Sequence, residues 1–327
     1  MTEAELHLHL EKIPALKREI EKVIVGQSDA LDELLIAFLA GGHALLEGVP
    51  GLAKTLMIRS LANAVSLSFR RIQFTPDLMP SDILGTEVLE EDRASGKRFF
   101  KFNRGAIFAN IVLADEINRT PPKTQSALLE AMQEISVTQA GNTFPLEKPF
   151  FVLATQNPIE QAGTYPLPEA QLDRFMLYIK LGYPSEEEEL KVLLQTTGAA
   201  SAKILPVLSG EELLAIQRVV REVVISTELM KSVNVLVRET RPQNTTQAFI
   251  KESVEWGAGT RAAQALILSA KARALMQGRF SVLPDDVRRT ALPALRHRVL
   301  LNFKAQAEKR TTDDVVEELI RRQRIGE

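Results

Sequence analysis

Gly48-Val49-Pro50-Gly51-Leu52-Ala53-Lys54-Thr55 decides the reading of this chain. It follows an apolar run, His43 to Leu46, that reads as a strand. It opens a helical run over 55–65. Strand, glycine-rich loop, helix is the layout of a P-loop, although the strict pattern has Gly where Ala53 stands. The chemistry explains the pattern. Successive backbone N–H groups wrap phosphate oxygens, so Cβ atoms there are obstacles. The helix then turns its positive end to the phosphates. Lys54 supplies a charge to the β- and γ-phosphates, and Thr55 Oγ ligates Mg²⁺. Ala53 is expected to have right-handed helical φ/ψ, where a methyl group is unstrained.

Downstream, Ile111-Val112-Leu113-Ala114 reads as a fully buried parallel strand ending in Asp115-Glu116. Ligands of open α/β sheets lie at such strand ends. Asp115 suits a Mg²⁺ held through water. Glu116 is the candidate general base on an attacking water. A further buried strand, Phe150 to Ala154, ends at Thr155-Gln156-Asn157-Pro158. The Asn157 amide is placed to orient the water or to bond the γ-phosphate. Two arginines complete the candidates. Arg174 lies in Leu172-Asp173-Arg174-Phe175, and Arg261 follows Gly257-Ala258-Gly259-Thr260. Thr260 is expected to cap a helix over 261–277. A guanidinium on a γ-phosphate stabilises transition-state charge and acts in cis or in trans.

Around these motifs, helical spacing covers 3–24, where Pro14 is expected to kink or break the helix, and 28–39. Phe69 to Phe74 reads as a strand. Two β-hairpins are expected, one over 87–102 with its turn at Asp92–Gly96, the other within 135–149 around Gly141-Asn142. Gly182-Tyr183-Pro184 reads as a linker, followed by capping boxes at Ser185/Glu188 and Ser209/Glu212. From there to about Arg322 the periodicity is helical. Trp256 reads as a packing residue of this part, and His43 and His297 as structural or solvated. The expected architecture is α/β: a parallel-sheet core over 1–182 and an all-helical domain over 183–327.

The 327 residues include 40 Lys and Arg against 42 Asp and Glu, a net charge of −2. That argues against a general nucleic-acid trap. There is no Cys, so disulfides, thiolate metal sites and Cys nucleophiles are out. No stretch reaches the roughly 20 apolar residues of a membrane span, and the expectation is a cytoplasmic protein.

Taken together, the chain resembles the MoxR family of AAA+ ATPases, the clade with an insert in helix 2. Val25-Gly26-Gln27, the Walker A run, Phe108 to Arg119, Ala154 to Pro158, Leu167 to Phe175 and Gly257 to Arg261 carry the resemblance. Ala53 is a normal residue of that family's Walker A. The resemblance implies a P-loop αβα core with a helical lid, ATP and Mg²⁺ as cofactors, and Mg-dependent ATP hydrolysis. Val25, Gly26 and Gln27 would line the adenine pocket. Gly48, Val49, Pro50, Gly51, Leu52, Ala53, Lys54, Thr55 and Leu56 would hold the phosphates, with Thr55 and Asp115 on the metal. Glu116 would be the base, Asn157 sensor 1, Arg261 sensor 2, and Arg174 or Arg119 the finger reaching a neighbour. The hairpin near 87–102 would be the helix-2 insert, and the one near 135–149 would precede sensor 1.

It also implies a homo-oligomer, usually a hexameric ring, acting as a chaperone-like machine on client proteins, often beside von Willebrand factor A domain partners. Two alternatives stand beside it: a nucleic-acid motor of the same clade, and a chelatase-type ATPase subunit. The insert's Arg93, Lys97, Arg98 and Lys101 bear on the former.

Overall fold

The computed structural model describes residues 3–91, 96, 98–139, 141–159, 163–197 and 202–323. The turn Asp92–Ser95 and Lys97 of the first expected hairpin lie outside them. Helices α1 (Glu3–Glu21) and α2 (Ser28–Leu39) lead into β1 (Ala44–Glu47) and α3 (Lys54–Ala64). Next come β2 (Phe69–Gln73), α4 (Pro80–Leu84) and the hairpin β3 (Gly85–Glu91) with β4 (Arg98–Arg104). Then follow β5 (Ile111–Asp115), a 3-10 turn (Ile117–Arg119), α5 (Pro122–Glu134), the hairpin β6 (Ser136–Gln139) with β7 (Asn142–Pro145), and β8 (Phe151–Gln156). The short α6 (Glu169–Leu172) precedes β9 (Leu177–Lys180).

The second half holds α7 (Glu186–Thr196), α8 (Gly210–Glu222), α9 (Thr227–Glu239) and α10 (Ala248–Ser253). After β10 (Val254–Trp256) come α11 (Thr260–Met276), α12 (Pro284–Leu295), β11 (Leu300–Leu301), α13 (Phe303–Ala307) and α14 (Thr312–Arg322). Both expected capping boxes form, at Ser185/Glu188 and Ser209/Glu212.

Five strands make one parallel sheet in the order β2-β5-β8-β1-β9. Side chains alternate across a strand, and here the alternation separates two cores. Ile111, Leu113, Phe151, Leu153 and Leu46 join α1, α2, α3 and the C-terminal helices. Val112, Ala114, Val152, Ala154 and Leu45 join α5 and the hairpins on the other face. The first core runs without interruption from Leu16 of α1 through the sheet to Leu266 of α11 and Leu319 of α14. Burying both faces explains why the central strands read as continuous apolar runs.

Several expectations are corrected. Pro14 does not break α1, which runs through it. The cap of α11 is Gly259, and Thr260 is the first helical residue. The helical half is interrupted by the antiparallel pair β10–β11. Trp256 sits on that ladder and is 69% exposed, so it is not a packing residue. A short helix, α4, lies between β2 and the first hairpin, where no element was expected. Among the described residues, no helix is long and apolar enough to cross a membrane.

Candidate active site

In a parallel sheet all strand C-termini share one edge. Gly48 follows β1, Asp115-Glu116 end β5, and Asn157 follows β8, so the fold brings these three motifs to that edge. The P-loop joins β1 to α3. Gly51 has φ +90°, and a Cβ there would point into open space, so the backbone is accessible from outside. Ala53 has φ 56° and ψ 19°, which is left-handed and not the helical conformation expected for it. Its methyl group is strained by roughly 1–2 kcal/mol. Lys54 Nζ donates to Gly48 O at 2.6 Å, which folds the ammonium over the loop.

Asp115 is buried. Its Oδ1 accepts from Thr155 Oγ1 at 2.6 Å, and its Oδ2 accepts from Arg71 Nε and Nη2 at 3.0 and 2.6 Å. The Thr155 hydroxyl also accepts from the Glu116 backbone N–H at 2.9 Å, so one oxygen ties both residues of the acidic pair. Glu116 itself is left-handed, with φ 58°, a conformation that non-glycine residues hold only when their surroundings impose it. Its Oε2 accepts from Gln73 Nε2 at 2.8 Å and from Arg119 Nη1 at 2.9 Å. Asn157 is buried, and its Oδ1 accepts from Ile159 N at 3.2 Å. Arg71 and Gln73 lie in no motif, and Thr155 lies in the Ala154–Pro158 run with no role expected of it. The sequence signal of all three is a polar side chain on a strand.

Residues of the expected adenine pocket meet the same edge. Gln27 Nε2 donates to Gly182 O at 2.7 Å, a Cβ on Gly26 would lie 3.0 Å from the Glu188 carboxyl carbon, and one on Gly48 would lie 2.9 Å from Leu181 Cβ. The start of α7 therefore borders Gly26, and Leu181, just after β9, borders Gly48 of the loop.

Arg174 and Arg261 lie elsewhere. β9 pairs with β1 in parallel, Leu177 opposite Ala44 and Lys180 opposite Glu47. Arg174 precedes Leu177, which puts it at the N-terminal edge of the sheet. His43 and Gly48 bracket β1, and five steps of about 3.3 Å separate the two edges by roughly 16 Å. Arg174 and Arg261 line one small pocket there with His43, Met132 and Gln133. Arg174 Nη1 donates to Leu129 O at 2.8 Å. Arg261 meets Asp173 at 3.4 Å, and Asp173 also holds the buried Arg298 at 2.7 Å. His43 Nδ1 accepts from Val152 N at 3.1 Å, while Nε2 faces Met132 O at 3.2 Å. Loss of hydration holds its imidazole down to about 4, so it is neutral at pH 7.

The hairpins flank the second core. Phe102 of β4 stacks on Phe144 of β7 with ring centroids 4.1 Å apart. The outer part of β3–β4 exposes Val88, Leu89, Phe99 and Phe100, and the last is 70% exposed. Arg98 pairs with Glu91 at 3.2 Å and Lys101 with Glu90 at 3.1 Å. Among the described residues the outer part of this hairpin presents apolar side chains beside two paired cations, Arg98 and Lys101. Arg93 and Lys97 lie outside the described residues.

Residues 43–177 match the model of the ATPase family associated with various cellular activities (AAA), and residues 246–319 match the AAA lid domain. Chaperone MoxR1 of Mycobacterium tuberculosis is 43% identical over 92% of this chain and 79% of its own length. The uncharacterised protein YeaC of Bacillus subtilis is 45% identical over 92% of this chain and 91% of its own. A crystal structure of a Cytophaga hutchinsonii protein, described as a "putative ATPase", superposes with a TM-score of 0.90 at 44% identity, covering 98% of this chain and 96% of that one.

Proposed function

The chain belongs to the MoxR family of AAA+ ATPases, and from that premise we propose that it works as a ring of copies, coupling ATP hydrolysis to the remodelling or maturation of a partner protein complex. One observation carries the reading: the carboxylates and the phosphate loop occupy one edge of the sheet, and the two arginines occupy the other. A single copy gathers the loop, the carboxylates and Asn157 on one edge and keeps its own Arg174 and Arg261 at the other. A neighbour placed head to tail brings its arginines to the first copy's phosphates.

The loop amides of Gly48 to Leu56 and the Lys54 ammonium bind the phosphates, and Val25, Gly26 and Gln27 border the base. Thr55 and Asp115 supply hard oxygen donors, the set that suits Mg²⁺, which would offset charge on the phosphates. Glu116 takes a proton from the attacking water, and Asn157 orients that water. Arg174 and Arg261 of the next copy stabilise the charge that develops on the γ-phosphoryl group. Residues 1–182 act as the nucleotide core and 183–327 as the lid.

The partner is a client protein, with von Willebrand factor A domain proteins as the candidate class. The chaperone name of the Mycobacterium tuberculosis relative supports a protein client, and so do the exposed Val88, Leu89, Phe99 and Phe100 and the paired Arg98 and Lys101 on the strands of the first hairpin. Steady-state hydrolysis tests the reading. Glu116→Gln should keep nucleotide binding and lose turnover by about 100-fold or more. Unchanged turnover would overturn the mechanism. Affinity isolation with that variant then identifies the client.

A further inference from the structure

Two surface features have no role in the site. The first is α7, which buries none of its side chains. Leu190, Leu193 and Leu194, spaced i, i+3, i+4, fall on one face and are 59%, 56% and 70% exposed. An amphipathic helix normally turns such a stripe inward. Its first turn is Glu186-Glu187-Glu188-Glu189. The start of this helix borders the P-loop edge, through Gly26 and Glu188.

The second is a cleft of about 440 Å³ at the opposite edge. Pro149, Phe150 and Leu214 give it apolar walls, and Lys148, Arg218 and Arg221 rim it. None of these three cations pairs with a carboxylate among the described residues. Lys271 adds charge beside them, its Nζ donating to Arg221 O at 2.8 Å. The cleft adjoins the arginine pocket, because the Phe150 ring packs edge-on against His43, with centroids 5.8 Å apart.

We propose that α7 of one copy docks in the Lys148–Arg218–Arg221 cleft of a second copy, acidic turn to cationic rim and leucine face to apolar wall. This rests on the head-to-tail reading above and names the surfaces that make the contact. The signs of charge match, and both features pair an apolar patch with a charged one. The acidic start of α7 and the cationic cleft lie at opposite edges of one sheet, so their contact forms between chains. A contact between different patches repeats from copy to copy and closes into a ring when the rotation allows. It also sets Arg174 and Arg261 of the second copy beside the first copy's P-loop, since each pair of features shares an edge.

Sedimentation velocity in ATP and Mg²⁺ tests this on the Glu116→Gln background. One chain carries Arg218→Glu with Arg221→Glu, the other Leu193→Asp with Leu194→Asp. All four sites are exposed, and circular dichroism checks that both chains remain folded. Each variant alone should raise the concentration of half-assembly about tenfold or more. A 1:1 mixture should yield dimers and nothing larger, because only one of the four pairings keeps both surfaces intact. Unchanged assembly of either variant, or complete rings from the mixture, would overturn the docking while leaving the ring reading in place. A parent chain that stays monomeric would overturn the ring reading itself. Variants that assemble normally but lose client capture would assign these surfaces to the client and overturn the second-copy proposal.

Discussion

Gln73 Nε2 donates to Glu116 Oε2 at 2.8 Å, from the end of β2 to the residue that follows β5. With Arg119 on the same oxygen, two donors restrain the carboxylate that is proposed to deprotonate water. An oxygen held by two donors must give one of them up before it can accept from water. Gln73→Ala should therefore release Glu116 and raise basal ATP turnover by about fivefold, the equivalent of one net hydrogen bond of about 1 kcal/mol. A fall of similar size in the steady-state rate would show instead that the amide orients the carboxylate for attack.

Thr155 ties Asp115 to the backbone of Glu116 through one hydroxyl. Thr155→Val keeps the shape and removes both bonds. Leaving two polar groups unsatisfied should cost about 2–3 kcal/mol of stability. Turnover should fall at least about tenfold. Thr155→Ser restores the hydroxyl and should recover most of both losses. Thermal melts and ATPase rates on the three chains check this.

The separation of the arginines from the P-loop predicts complementation. Glu116→Gln and Arg174→Ala should each be inactive alone. Mixed 1:1 they should recover about a quarter of the parent activity, the chance that a random neighbouring pair combines an intact Glu116 with an intact Arg174. Mixing the purified chains and measuring phosphate release decides the matter. An inactive mixture would place Arg174 in its own chain's site.

Glu33 of α2 faces Arg296 and Asp313 of the C-terminal helices, and Asp29 and Asp32 of its own. Loss of hydration pushes its carboxyl up to about 7. The folded chain then binds a proton that the unfolded chain has lost between pH 4.5 and 7, so this contribution to stability declines as pH rises through that window. Glu33→Gln should be stabilised relative to the parent as pH rises from 4.5 to 7, by on the order of 2 kcal/mol, and the gap should stay constant above 7. Urea titrations at pH 5 and pH 8 measure it. Burial of His43 acts in the opposite direction over much of the same range, so only the difference between the two chains isolates Glu33.

The P-loop, the acidic strand end and Asn157 were legible because each follows an apolar run, and a parallel sheet sends all such ends to one edge. The hairpins were legible from their turn residues. Arg174 and Arg261 were legible as residues but not as a place. Their location follows from β9 pairing with β1 in parallel across more than 130 positions of sequence, which local spacing does not encode. Gln73 and Thr155 escaped because one amide or hydroxyl at a strand end looks like any turn residue. The left-handed φ of Ala53 ran against its methyl group, since the requirements of the loop outweigh local preference there.

The Phe102–Phe144 stack has a mechanical consequence. β2, which ends at Gln73, leads through α4 into the first hairpin. Glu116 leads through the 3-10 turn and α5 into the second. The two partners of the hydrogen bond at the base are thus the roots of the two arms, and the aromatic stack splints the arms together. A strand of seven residues such as β4 is about 23 Å long. A tilt of about 5° at the root of such a lever sweeps its tip through roughly 2 Å, and the splint makes both arms share the stroke. A change of hydrogen-bond partner at Glu116, smaller than the width of an atom, would reach the exposed Phe99 and Phe100 as a displacement large enough to pull on whatever they grip.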